Sequence, residues 1–219
     1  MAAKEEEEVD SKTRRSISRS LSWLLRHGIN TCGLKARDDG YVKLVDVLSC
    51  RHKRVSRNLK TVTPFLIRDI VKKCPKQRFR IEFFNGVEYI RANQGHSVKG
   101  IISDDKLLKK IKDIPKICVH GTYFEAWMKI KKSGGISKMT RNHIHFAKGL
   151  PGADGVISGI RDTCEVYIYV NVKKCLETGI PFFESTNGVL LSPGNDKGLI
   201  PLSMFDKVVS RIDAEKSLL

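Results

Sequence analysis

At 219 residues and 41% hydrophobic the chain can bury one core or two small ones, and it has no apolar run long enough to cross a bilayer. Six scattered cysteines without a C-x-x-C pair argue against a disulfide framework or a zinc site. They point to a reducing compartment, hence an intracellular home in cytoplasm or nucleus. The net charge of +16 is uneven: residues 11–97 hold 20 Lys and Arg against 6 Asp and Glu, whereas 98–219 hold 19 against 13, so a polyanion such as nucleic acid is expected on the first part.

Residues 1–10, "MAAKEEEEVD", are expected to be a disordered acidic tail and are no signal peptide. A helix is expected from about Arg14 to Gly28, because Ile17, Leu21, Leu24 and Leu25 recur at helical spacing. It ends in Arg26 and His27, cations that the C-terminal end of the helix dipole would suffice to explain. Asp38-Asp39-Gly40 forms a turn, Tyr41–Lys43 an extended piece, and Leu44–Ser49 a short helix. "RHKRVSRNLK" is a basic loop or helix face. Thr63 as N-cap and Pro64 at the first helical position open a helix with an Ile67, Ile70, Val71 stripe. Phe79, Ile81 and Phe83 alternate with charged residues up to Asn85-Gly86, a two-residue hairpin turn. Three helices followed by this hairpin describe a winged-helix lobe over 11–98.

Residues 99–115 read as a connector with a short helix. The remainder, 116–219, is strand-rich, with "KICVHGT", "NHIHFA", "EVYIYVNV" and "PFFESTNGVLLSPG". A helix near Glu125–Lys132 would put Trp127, Met128 and Ile130 in the core and end at Gly134-Gly135. His120-Gly121-Thr122 follows a strand, where the glycine would let a ligand approach the backbone, although a plain strand-to-helix turn explains it as well. Arg141, His143 and His145 alternate along an expected strand and would share one face. Two histidines without a third ligand do not make a metal site. "RANQGHS", Arg91 to Ser97, is a polar loop after the hairpin. Neither a P-loop nor a G-x-G-x-x-G is present.

Taken together, "LSWLLRH", "DDGYVKLVDVL", "KQRF", "RANQGHS", "HGT", "ISKMTRNHIHFA", "GVISGIRDTCEVYIYV" and "IPFFESTNGVLLSPG" resemble the tRNA 2′-phosphotransferase family, in family order from Ser18 to Gly194. One departure is Ala147, where family members often carry serine. The resemblance implies an α+β protein: a winged-helix lobe for RNA, then an ADP-ribosyltransferase-like split-sheet lobe for NAD⁺. It implies a catalytic set of Arg26, His27, Arg78 and Arg141, with His120, Gly121 and Thr122 seating NAD⁺. Arg91, Gln94, His96 and Arg161 are further substrate-binding candidates.

The implied reaction begins when an oxygen of an RNA 2′-phosphate attacks the nicotinamide ribose of NAD⁺ and expels nicotinamide. The ribose 2″-hydroxyl of the resulting RNA–phospho–ADP-ribose then attacks phosphorus. RNA leaves with a 2′-hydroxyl, alongside ADP-ribose 1″,2″-cyclic phosphate. NAD⁺ is consumed as a co-substrate, no metal is needed, and a monomer without membrane contact is expected. Two other classes fit the residues: an ADP-ribosyltransferase that stops at the adduct on a nucleic-acid phosphate, and a winged-helix RNA-binding protein with an inert second lobe.

Overall fold

The structure is a computed structural model that describes residues 9–212 and 217–219. Met1–Glu8, most of the expected acidic tail, lies outside the described residues. The first described helix, α1 (Ser11–Trp23), begins where Asp10 accepts hydrogen bonds from the amides of Lys12 and Thr13. That carboxylate satisfies two of the orphan donors of the first turn. The helix continues into a π-helical turn, Leu24–Gly28. Then come β1 (Val42–Lys43), α2 (Leu44–Ser49), α3 (Lys53–Leu59) and α4 (Pro64–Lys72), the last capped by Thr63 as the sequence predicts. The hairpin β2 (Phe79–Phe84) and β3 (Val87–Ala92) turns at Asn85-Gly86, both at positive φ. The expectation of three helices and two strands is thus short by one of each: "RHKRVSRNLK" contributes α3, and β1 joins the hairpin in the order β1-β3-β2. One core, from Ile17 to Val98, fills the space between these helices and this sheet.

The second half opens with α5 (Asp104–Leu107) and β4 (Lys109–Lys110), then β5 (Val119–Thr122), α6 (Phe124–Ser133), β6 (Gly135–Ser137), β7 (Ile144–Phe146) and β8 (Val166–Val170). It ends with α7 (Val172–Glu177), β9 (Phe183–Glu184), β10 (Leu190–Ser192), β11 (Leu199–Pro201) and β12 (Phe205–Ser210). Two sheets dominate, β4-β9-β10-β7 and β12-β8-β5, and the Val119–Ala147 bridge ties them together. Phe146 and Leu190 from one sheet pack with Val166, Ile168 and Val208 from the other in a second core.

Two expectations need correction. The connector is not wholly a linker, since Lys109 and Lys110 pair with Glu184 and Phe183 as an edge strand of the second half. Met128 is not core: it is 65% exposed, because only the Trp127 side of α6 faces the sheet. The protein is α+β, and among the described residues no helix is long and apolar enough to cross a membrane.

Candidate active site

The π-helical turn positions the first candidates. Its wider i→i+5 winding breaks the register of α1, so Arg26 and His27 leave the face that a plain α-helix would give them. Gly28 is required there, because a Cβ would lie 2.8 Å from the Trp23 ring. The loop after β3 locks the turn from the other side. Ser97 donates its amide to the Arg26 carbonyl (2.9 Å), and its hydroxyl lies 2.8 Å from His27 Nδ1. Gly95, at φ +90°, lets the backbone run against the Arg26 side chain, with the position of a Cβ only 3.3 Å from Cδ, Nε and Cζ.

Arg78 reaches the same place from the start of β2. The tight turn at Gln77 (φ 41°) is held by Asn93, whose side-chain amide donates to the Gln77 carbonyl and whose backbone amide donates to that of Arg78. Arg141 arrives from the second half. It sits in a turn that ends before β7 rather than on the strand, which corrects the expectation of three alternating residues on one strand face. The neighbouring Asn142 fastens that turn to the first half, donating from its amide to the His96 carbonyl (2.9 Å) and from Nδ2 to the Val98 carbonyl (3.2 Å).

Mutual repulsion marks the meeting of these groups. Arg26 is pushed down to about 10, by burial first and then by the positive charges of Arg141 and Arg78. His27 is lowered by burial, then by Arg26, Arg141 and Arg54. Arg141 is exposed by accessible area, yet its cleft is crowded enough that burial lowers its pKa, with Arg161 adding to the effect. Among the described residues none of Arg26, Arg78 and Arg141 forms an ion pair with a carboxylate. The Arg26 Nε is buried with no hydrogen-bond partner among the described residues. Like charges gathered this closely, and left uncompensated, make a site for an anion with several oxygens, which guanidinium forks bind bidentately. Dipole capping does not account for this convergence.

The other candidates divide into two kinds. His120, on β5, donates from Nδ1 to the His145 carbonyl (2.9 Å), which leaves Nε2 as the free acceptor of its neutral ring. Burial lowers its pKa and keeps it neutral. His145 Nε2 lies 2.8 Å from Gln94 Oε1, so Gln94, His145 and His120 form one chain of hydrogen bonds across the two halves. Thr122, two residues on along β5, is buried. Gly121 has a different reason from the one expected: the space of a Cβ is filled by Ile160 Cγ1 at 2.6 Å and Cys164 Sγ at 2.7 Å, so protein packing already demands glycine. His143 pairs with Asp104 at 2.9 Å rather than facing the arginines as a partner of His145. Arg91 lies over the Tyr41 ring and donates to the Asp39 carbonyl. His96 is 2% exposed and pushed down to about 3, chiefly by burial and then by Arg26. Arg161 is exposed, near Arg141 and Tyr123. Among the described residues no group of three or more His, Cys, Asp or Glu could hold a metal ion.

A cleft of about 750 Å³ opens beside Arg141, between the 98–104 segment and the 138–142 turn. Ser97, Asn93, Gly95 and Asn142, which hold the cluster together, lie inside quoted motifs, but nothing in their spacing announces those tasks.

Residues 12–194 match the family model described as RNA 2′-phosphotransferase, Tpt1/KptA family. The chain belongs to this family. Among its relatives, a tRNA 2′-phosphotransferase of Saccharomyces cerevisiae is 38% identical over 92% of this chain and 87% of its own. The tRNA 2′-phosphotransferase 1 of Danio rerio is 38% identical over 87% of this chain and 83% of its own. A provisionally named Schizosaccharomyces pombe tRNA 2′-phosphotransferase is 42% identical over 87% of this chain, which spans about half of that longer protein (50%).

Proposed function

We propose that this protein transfers the 2′-phosphate of spliced tRNA to NAD⁺, giving 2′-hydroxyl RNA, nicotinamide and ADP-ribose 1″,2″-cyclic phosphate. The carrying observation is the convergence of Arg26, Arg78 and Arg141 without a carboxylate partner among the described residues. We read residues 11–98 as a winged-helix lobe for RNA and 116–219 as an ADP-ribosyltransferase-like lobe for NAD⁺, with 99–115 between them.

In this reading Arg26 and Arg78 hold the phosphate from the RNA side, and Arg141 holds it from the NAD⁺ side. Three fixed cations orient a phosphate oxygen for attack and carry its charge through both displacements, the usual means of phosphoryl-transfer catalysis. NAD⁺ supplies an electrophilic ribose carbon with nicotinamide as leaving group. The neutral His120 offers Nε2 as a hydrogen-bond acceptor on the NAD⁺ face, and the Gln94–His145–His120 chain holds that ring as the two lobes meet. Arg141 and Arg161, which form no ion pair among the described residues, suit a pyrophosphate. In this reading His27, which lies against Ser97, takes a proton from the ribose hydroxyl or gives one to the leaving RNA oxygen in the second displacement.

The test is incubation of a 2′-phosphorylated RNA oligonucleotide with and without NAD⁺. Conversion to the 2′-hydroxyl form only when NAD⁺ is present supports the reading. Conversion without NAD⁺, or none at all, contradicts it.

A further inference from the structure

The positive surface does not stop at the arginine cluster. A groove of about 330 Å³ runs from Arg78 between α1 and the C-terminal end of α4. Arg14, Arg15 and Lys73 stand on its rim, over a floor of Ile70, Cys74 and Pro75. Arg15 also borders a hollow of about 280 Å³ with Lys12 and Arg19. Residues 12, 15 and 19 recur at i, i+3 and i+7, so they share one face of α1. Arg15 and Arg19 stand about 6 Å apart along the axis.

The partners of these cations separate them. Arg14 and Lys73 are both tied to Asp69. Arg15 and Arg19 are exposed and form no ion pair among the described residues. The residues lining the groove include neither a carboxylate nor an aromatic ring. An apolar floor under a cationic rim suits a sugar–phosphate strand. Without an aromatic platform or side chains aimed at base edges, the groove reads charge and not sequence.

We propose that this groove, continued past Arg15 into the adjoining hollow, carries the RNA strand flanking the phosphorylated nucleotide on one side, with Arg15 taking one backbone phosphate in the groove and Arg19 the next in the hollow. This rests on the cluster being the 2′-phosphate site. Arg78 belongs to both, so a strand whose 2′-phosphate meets Arg78 enters the groove with its next phosphodiesters. Only one flank, 5′ or 3′, can follow it.

The experiment uses the full chain with a trinucleotide bearing a central 2′-phosphate and with versions lengthened by several nucleotides on the 5′ or the 3′ side. The wild type should favour one of the lengthened substrates in kcat/KM. Arg15→Ala combined with Arg19→Ala should erase that preference, a loss of about tenfold on the favoured substrate for two exposed charged contacts together. The salt slope of binding to the favoured substrate should become shallower by about 1.4, roughly 0.7 per phosphate contact. Alanine suits a helix, so the variant should melt as the wild type does. Lys60→Ala, which removes one charge just past α3 and outside the groove, should keep the length preference. An unchanged preference in the double variant overturns the proposal. So does an equal loss on short and long substrates, which would locate the effect in the cluster or the fold. Absence of turnover on every substrate would instead refute the phosphotransferase reading itself.

Discussion

Gly95→Ala tests whether the placement of Arg26 matters to the chemistry. Gly95 has φ +90°, and its added Cβ would stand 3.3 Å from Cδ, Nε and Cζ of Arg26. A non-glycine residue in the left-handed region costs about 1–2 kcal/mol. At about 2–4 °C per kcal/mol for a chain of this size, Tm should fall by roughly 2–8 °C. The contact itself asks the arginine to give by a few tenths of an ångström. Arg26 has little room, since its Nε is buried and its backbone is pinned by Ser97. A misplacement of 1 Å can cost about a hundredfold, so a smaller one should cost about tenfold in kcat. Gly33→Ala is the control: φ is +64° and nothing lies within 4 Å of its Cβ, so it should lose stability without a specific loss of turnover. Both variants would be assayed for Tm and for phosphate transfer from a 2′-phosphorylated oligonucleotide. If Gly95→Ala loses stability as expected while kcat stays within about twofold of the wild type, the reasoning is refuted.

The pKa of His96 is lowered to about 3 against an ordinary 6.5, so the unfolded state binds the extra proton between those values. Its contribution to stability is complete above pH 6.5 and falls by about 1.4 kcal/mol per pH unit toward 3, or about 2 kcal/mol by pH 5. Urea unfolding of His96→Gln should show a flatter acid limb, and an unchanged limb would rule the residue out. His27→Ala should slow the second displacement by about two to four powers of ten, so that a slower-migrating RNA–phospho–ADP-ribose band accumulates on a denaturing gel. Equal slowing of both steps with no such band would reduce His27 to a phosphate ligand. Arg141→Lys should lose roughly tenfold or more in kcat, because an ammonium keeps the charge but not the fork, and near-wild-type turnover would show that charge alone suffices. Activity should survive a chelator, and loss restored by Mg²⁺ or Zn²⁺ would overturn the metal-free account.

Local chemistry made much of the molecule legible. The Thr63-Pro64 start of α4 and the Asn85-Gly86 hairpin stand as the sequence predicts, because each depends on residues within one turn of the chain. The π-helical turn has no comparable signature, since it arises where the 93–97 loop and Trp23 close on the helix end. Pairings between distant segments, β1 with β3 and β4 with β9, leave almost no trace in stretches of two residues. Met128 is exposed although it reads as core, because apolar periodicity shows which residues could face a core, not how wide the buried stripe is. Family resemblance gathered the arginines and His27 into one set; their spacing along the chain, 26, 78 and 141, could not. The bonds from Asn93, Ser97 and Asn142 that hold the set together emerge only in three dimensions.

The central claim is that the arginine cluster holds a phosphate that leaves RNA for NAD⁺, and the fate of that phosphorus tests it most directly. An oligonucleotide labelled with ³²P only in its 2′-phosphate would be incubated with NAD⁺ and the products separated. The account predicts that the label ends in ADP-ribose 1″,2″-cyclic phosphate, and that Arg26→Ala, Arg78→Ala and Arg141→Ala each suppress its transfer. Label that remains on RNA, or appears as inorganic phosphate, would contradict it.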